Sequence, residues 1–215
     1  MSNVISPRSS KSFESSTLSV GFDYRTIGGK VLIPITLRDK QGKIEYEEHL
    51  LWNPHHVLIT PEEFIKSVGK EENLTPIMQQ RILQSLKNQV MQYSRRLEVM
   101  PAVAAADKAN GLLVLEIDVT IGQQRLRDQV LWDHYDIHSS PEEFANKFAQ
   151  DLGLIGTWAV RIAHSIREQI LQHFAALSRG EMSPMRRMLI RSVEDVYKAQ
   201  SDILRIPSFI TTNLS

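Results

Sequence analysis

Apolar and polar positions alternate with a period of two from Leu113 to Ile121: Leu113, Leu115, Ile117, Val119 and Ile121 fall on one side. That is the period of a half-buried strand. A second run, Leu126 to Trp132, follows a turn at Gly122, so a hairpin is predicted. The period then changes. Ser140-Pro141-Glu142-Glu143 places a hydroxyl at the N-cap, proline at the first helical position and glutamate at the third, the signature of a capping box opening a helix. Ile162, Ile166, Ile170 and Phe174 recur every four residues, one stripe of a longer helix. The predicted unit is strand–strand–helix–helix.

The same unit occurs earlier in the chain, shifted by 80 positions. Trp52 answers Trp132 and Gly42 answers Gly122; Thr60-Pro61-Glu62-Glu63-Phe64 answers Ser140-Pro141-Glu142-Glu143-Phe144. Leu74, Arg81-Ile82, Ser85 and Gln89 answer Leu154, Arg161-Ile162, Ser165 and Gln169, with no gap between positions 32 and 92. Independent residue types coinciding at one offset indicate a repeat, and a long period present twice indicates two tandem small modules. The predicted fold is α+β: a Ser-rich disordered tail over 1–30, a first ββαα repeat over 31–94, a linker over 95–110, a second ββαα repeat over 111–177, and a C-terminal segment over 178–215.

In the tail, Ser2, Ser6, Ser9, Ser10, Ser12, Ser15, Ser16 and Ser19 leave too little apolar surface to order it. Pro101 and Asn110-Gly111 punctuate the linker, whose alanines suit a short helix. After Ser178-Arg179-Gly180, Ser183-Pro184 repeats the helix-start signal; Met185, Leu189, Val193, Val196 and Ile203 predict an amphipathic helix to about Arg205, with frayed residues beyond Pro207. Asp128 resists a simple strand reading, because it shares a face with Leu126, Val130 and Trp132. Either a bulge turns it outward or it bonds a nearby amide or arginine, since an unbonded inward carboxylate costs several kcal/mol.

The second copy resembles the repeat of the sucrose-nonfermenting-five, or integrase-interactor, family. The resembling residues are Leu126-Arg127-Asp128-Gln129, Leu131-Trp132-Asp133, Ser140 to Ala145, Asp151-Leu152-Gly153-Leu154 and Ile162 to Gln169. The first copy fits more loosely. The resemblance implies a non-catalytic core subunit of a SWI/SNF-type chromatin-remodelling complex in the nucleus, acting in transcription regulation. It implies that the repeats dock SWIRM-domain scaffold subunits near the end of their first helix, at Lys147, Asp151 and Leu152 in the second copy. Ser67, Glu71 and Glu72 hold the matching places in the first. The other expected partners are further subunits, including the ATPase, and the nucleosome. Family members carry a basic C-terminal helix that touches the histone octamer. Here Arg186, Arg187 and Arg191 stand early in the expected helix and are followed by Glu194, Asp195 and Asp202, so these three arginines are the candidate histone or nucleic-acid contacts.

Composition narrows the alternatives. Lys+Arg 25 balances Asp+Glu 25, which disfavours direct DNA or anionic-membrane binding. The balance is local, with five basic against nine acidic residues over 111–177 and six against four over 178–215. With no cysteine there is no disulfide, cysteine-zinc site or cysteine nucleophile. Asp133, His134, Asp136 and His138, and the group His49, His55 and His56, have metal-like spacing. However, His134 and His138 correspond to Pro54 and Leu58 in the other copy, so no metal is expected. Capping and the helix dipole account for Glu62-Glu63 and Glu142-Glu143, and the adjacent His164 and Ser165 diverge too far around a helix to act as a dyad. No nucleotide, hydrolase or zinc-protease motif occurs, and no cofactor or small-molecule substrate is expected. An interaction protein, not an enzyme, is therefore expected; the alternative class is a small α+β ligand-binding domain or enzyme.

Overall fold

The computed structural model describes residues 31–55, 58–106, 112–134, 136, 139–185, 187–188 and 208–211. The Ser-rich tail lies outside them. The first repeat comprises β1 (Ile33–Gln41), β2 (Ile44–Trp52), α1 (Pro61–Glu71) and α2 (Pro76–Ala106). The second comprises β3 (Leu112–Ile121), β4 (Gln124–Trp132), α3 (Pro141–Asp151) and α4 (Trp158–Ser178). Each hairpin turns on a glycine with positive φ, 61° at Gly42 and 59° at Gly122, a conformation that costs a Cβ-bearing residue strain. Thr60 and Glu63 complete a capping box on α1. On α3 the Ser140 hydroxyl accepts from the Glu143 N–H, 3.3 Å, and donates to Glu142 Oε2, 3.2 Å.

Alternation decides what each hairpin buries. Ile33, Ile35 and Leu37 are fully buried, as are Met78, Ile82 and Leu86 on α2, which packs against β1. Leu113, Leu115 and Ile117 are buried in the same way, with Ile162, Ile166 and Ile170 on α4 packing against β3. An edge-to-face pair closes each repeat: Trp52–Phe64 with ring centroids 5.6 Å apart, and Trp132–Phe144 at 5.8 Å. Of these four aromatic residues only Trp132 is deeply buried; Trp52, Phe64 and Phe144 sit at the core margin.

The repeats share one continuous core. Beyond its own hairpin, α4 lies against β1, β2 and α2. His164 Nε2 is 3.1 Å from the Ile35 carbonyl oxygen, and Arg167 donates toward the Leu32 carbonyl at 3.5 Å. Pro34, Thr36 and His49 belong to the face of the first hairpin opposite Ile33 and Ile35; α4 covers that face. A module of this size is near the lower limit for a self-sufficient core, so each repeat completes the other.

Two expectations change, and one alternative left open is decided. Residues 95–106, read as a linker, continue α2 as helix through Pro101. A mid-helix proline costs about 3 kcal/mol, and burial of Leu97 and Met100 in the shared core offsets it. The helix expected from Ser183-Pro184 does not begin there. Arg187–Met188 forms β5, paired with β3, and Ser208–Thr211, expected to fray, forms β6, paired with β4. The second sheet therefore has the order β5-β3-β4-β6. The rest of the expected helix, with Arg186 and Arg191, falls outside the described residues. Finally, β4 runs in unbroken register with Ile117 opposite Asp128, so there is no bulge. Asp128 is half-buried, its carboxyl pushed up by burial and partly relieved by the Gln129 N–H at 2.7 Å.

Candidate docking surface

The C-terminal end of α3 is built on a stripe of small residues. Pro141, Ala145 and Ala149 are buried, which brings the helix backbone close to α4. Phe144 and Phe148 lie on the flank of this stripe, half-buried and stacked with ring centroids 5.5 Å apart. One turn further round, Lys147 and Asp151 are exposed. Leu152 closes the helix through its N–H to the Phe148 carbonyl, 3.2 Å, and keeps 36% of its surface exposed. Leu152 therefore lies outside the core of its own module. The chain then turns on Gly153, φ 66°, where the first copy has Asn73 at φ 53°.

Next to these residues a groove of about 300 Å³ opens between α3 and the start of α4, lined by Asn146, Ala149, Gln150, Gly153, Leu154, Ile155, Gly156 and Ala159. Ile155 and Val160 are 87% and 43% exposed. The first repeat fills the same place with its own side chain. Gly69 and Gln79 stand where the second repeat has Ala149 and Ala159. Gln79 folds over Gly69 and donates to the Leu74 carbonyl at 2.8 Å; a Cβ at position 69 would lie 2.4 Å from Gln79 Cδ.

Ser67, Glu71 and Glu72 occupy the corresponding end of α1. All three are exposed, Ser67 donates to Glu71 Oε1 at 3.3 Å, and Glu72 caps the helix on the Val68 carbonyl at 2.9 Å. This corner is acidic and its groove is plugged, whereas the second corner is mixed in charge and open.

At the opposite, N-terminal end of α3 lies an ion pair, its arginine fully buried, whose glutamate sequence reasoning assigned only to capping. Glu142 takes two bonds from Arg167, 2.5 and 2.9 Å, and Arg167 is 1% exposed. Burial pushes the Glu142 carboxyl up, but the guanidinium more than offsets it and holds the group below the usual carboxylate range. Glu62 and Lys87 make the same pair, offset by 80, on the open surface of the first repeat. The common offset was the readable signal; the difference in burial was not, because it comes from the first repeat packing over α4.

The histidine and carboxylate groups with metal-like spacing disperse. His134 packs against the rings of His173 and Phe174, Asp136 accepts from Ser139 at 2.6 Å, and His49 contacts Thr36 and Glu47. His56 and His138 lie outside the described residues. Among the described residues no group of three or more His, Cys, Asp or Glu side chains is placed to hold a metal ion. No helix among them is long and apolar enough to cross a membrane.

The family model described as SNF5 / SMARCB1 / INI1 matches residues 28–205, a span that takes in both repeats. The chain belongs to that family. Among curated relatives, the SWI/SNF chromatin-remodeling complex subunit SNF5 of Saccharomyces cerevisiae is 28% identical over 153 residues, covering 68% of this chain and 17% of the relative. The subunit snf5 of the same-named complex in Schizosaccharomyces pombe is 28% identical over 180 residues, covering 68% of this chain and 28% of the relative. The Chromatin structure-remodeling complex protein BSH of Arabidopsis thaliana is 28% identical over 151 residues, covering 66% and 57%. The chain thus spans less than two thirds of each of these relatives.

Proposed function

We propose that this chain is a non-catalytic subunit of a SWI/SNF-type ATP-dependent chromatin-remodelling complex in the nucleus. It docks a SWIRM-domain scaffold subunit through the helical corner of its second repeat, with Ser67, Glu71 and Glu72 as a separate contact on the first. In this role it supports nucleosome engagement by the ATPase and transcription regulation. Arg186, Arg187 and Arg191 are its candidate histone or nucleic-acid contacts. The observation that carries the docking reading is the open groove beside exposed Lys147, Asp151 and Leu152. An apolar residue flanked by a cation and an anion, next to a recess, suits an interface with a small apolar centre and a polar rim.

The test is a pull-down of the purified SWIRM-containing scaffold with soluble, folded variants. Asp151→Lys should weaken binding by about 1–3 kcal/mol while changing stability by only about 0.5 kcal/mol. If neither Asp151→Lys nor Leu152→Ala alters binding, the docking surface lies elsewhere. The ligand-binding alternative has less support. A second recess of about 370 Å³ by Trp132, Ser140 and Phe144 is lined by none of the groups with strongly moved pKa, since Tyr46 and His164 lie in the first hairpin and between the repeats.

A further inference from the structure

The sheet topology leaves the repeats unlike at one place. The second hairpin is the middle of a four-stranded sheet, whereas among the described residues the first is a two-stranded sheet. The acceptor for β6 is the first half of β4, with Gln124 opposite Thr211, Leu126 opposite Phe209 and Arg127 opposite Ser208. Shifted by 80, that acceptor is Ile44–Glu47 on β2.

The register shows which backbone groups this edge offers. The β1–β2 ladder closes on Gln41 and Ile44 around a two-residue turn. The closing pair of such a turn exchanges its backbone bonds, and every second pair then does the same. Ile44, Tyr46 and Glu48 therefore bond β1, while Glu45 and Glu47 direct their N–H and C=O away from it. The same parity makes Thr36 face away from β2 on the opposite edge. There Gln89 is found, accepting from the Thr36 N–H at 3.0 Å and donating to its carbonyl at 2.7 Å. By the same parity Arg125 and Arg127 are the residues of β4 that face the edge where β6 pairs.

The side chains define what fits. Tyr46 is buried at 7% exposure, Ile44 is 38% exposed, and Glu45, Glu47 and Glu48 are exposed. On the part of this hairpin face that α4 leaves exposed, Glu45 pairs with Lys40, and Glu47 with Arg38 and with His49 at 2.8 Å; the exposed lysine and arginine contacts are ones that another cation readily replaces. We propose that the outward edge of β2 at Ile44–Glu47 docks an extended basic segment of a partner protein, added as an antiparallel strand. Such a segment sets lysine or arginine opposite Glu45 and Glu47 and an apolar residue opposite Tyr46, as Phe209 stands opposite Leu126. Main-chain bonds give affinity and the alternating side chains give selectivity. The acidic residues also keep two copies of this edge from pairing with each other. The site is separate from the helical corner at Asp151.

The test uses the full chain, labelled for amide NMR, titrated with an eight-residue peptide alternating lysine with phenylalanine and isoleucine, and with the same peptide carrying glutamate for lysine. The lysine peptide should slow exchange of the Glu45 and Glu47 amides at least tenfold and leave Ile44 and Tyr46, already bonded to β1, unchanged. The glutamate peptide should bind at least tenfold more weakly. E45K/E47K should lose at least tenfold in affinity, and so should Glu45→Pro, which deletes one outward N–H without touching the β1 ladder. Asp151→Lys should leave peptide binding unaltered, which separates this site from the scaffold-docking corner. No protection at millimolar peptide, equal binding of the two peptides, or unchanged binding by E45K/E47K would overturn the proposal. So would slow exchange of Glu45 and Glu47 in the free chain, which would show that another segment of the chain already holds the edge.

Discussion

Gln89 and Thr36 lie 53 residues apart, yet the carboxamide of one completes the backbone of the other as a neighbouring strand would. Its nitrogen also donates to the Ser85 hydroxyl at 3.0 Å, which fixes the rotamer. Gln169 repeats the device on Glu116, with bonds of 2.9 and 2.8 Å and Ser165 behind it. Each pair ties the second helix of a repeat to the edge of its hairpin. Gln89→Ala is expected to leave a half-buried N–H and C=O without this partner and to cost about 1–3 kcal/mol. Gln89→Glu should cost more, since it keeps the acceptor for the N–H but sets a carboxylate against the Thr36 carbonyl. Chemical denaturation of the two variants gives the ranking; equal stability of both with the parent would sink this account.

Gly69 and Gln79 fill one space between them. Gly69→Ala should destabilise the first repeat by about 1 kcal/mol, because the new Cβ displaces the Gln79 side chain from the Leu74 carbonyl. Adding Gln79→Ala copies the solution the second repeat already uses and should recover most of the loss. The converse pair, Ala149→Gly with Ala159→Gln, should close the groove beside Asp151 and weaken scaffold binding with little change in stability. A double-mutant cycle followed by unfolding and by pull-down reads both halves of this prediction.

The ion pairs at one repeat position should behave unequally. Arg167→Ala leaves Glu142 buried opposite no cation and should cost about 3–5 kcal/mol. Lys87→Ala removes an exposed partner of Glu62 and should barely move the unfolding midpoint. Similar losses for the two substitutions would show that Arg167 is not shielded by the first repeat.

His164 makes the junction between repeats sensitive to acid. Burial, then the neighbouring His49, lowers its pKa from 6.5 to about 4; the Ile35 carbonyl raises it in part, and Arg161 adds a smaller lowering. The unfolded chain therefore binds a proton that the folded chain refuses. Stability should be fully present above about pH 6.5 and should fall as pH drops toward 4, by about 3 kcal/mol in all. Urea unfolding at pH 7 and pH 4.5 should show most of this loss in the parent chain. His164→Gln, which keeps a donor for the Ile35 carbonyl, should show a smaller one.

What the sequence determined by itself was local. The positive-φ glycines at 42 and 122, the hydroxyl caps at Thr60 and Ser140, and the periods of two and of four residues each act within a few positions. They place the starts of the helices and the turns of the hairpins, and the 80-residue offset follows from reading them twice. Lys147, Asp151 and Leu152 were singled out by the family resemblance, which points to the end of the first helix of the repeat. Tertiary packing alone decided the rest. It carried α2 through Pro101 to bury Leu97 and Met100, and paired two C-terminal segments with the second hairpin. It also wedged α4 between both hairpins, so that Arg167 and His164 are buried while the equivalent Lys87 and Gln84 are not. The reason is physical: a turn or a cap is satisfied by its neighbours in the chain, but whether a side chain is dry depends on what the other repeat lays over it.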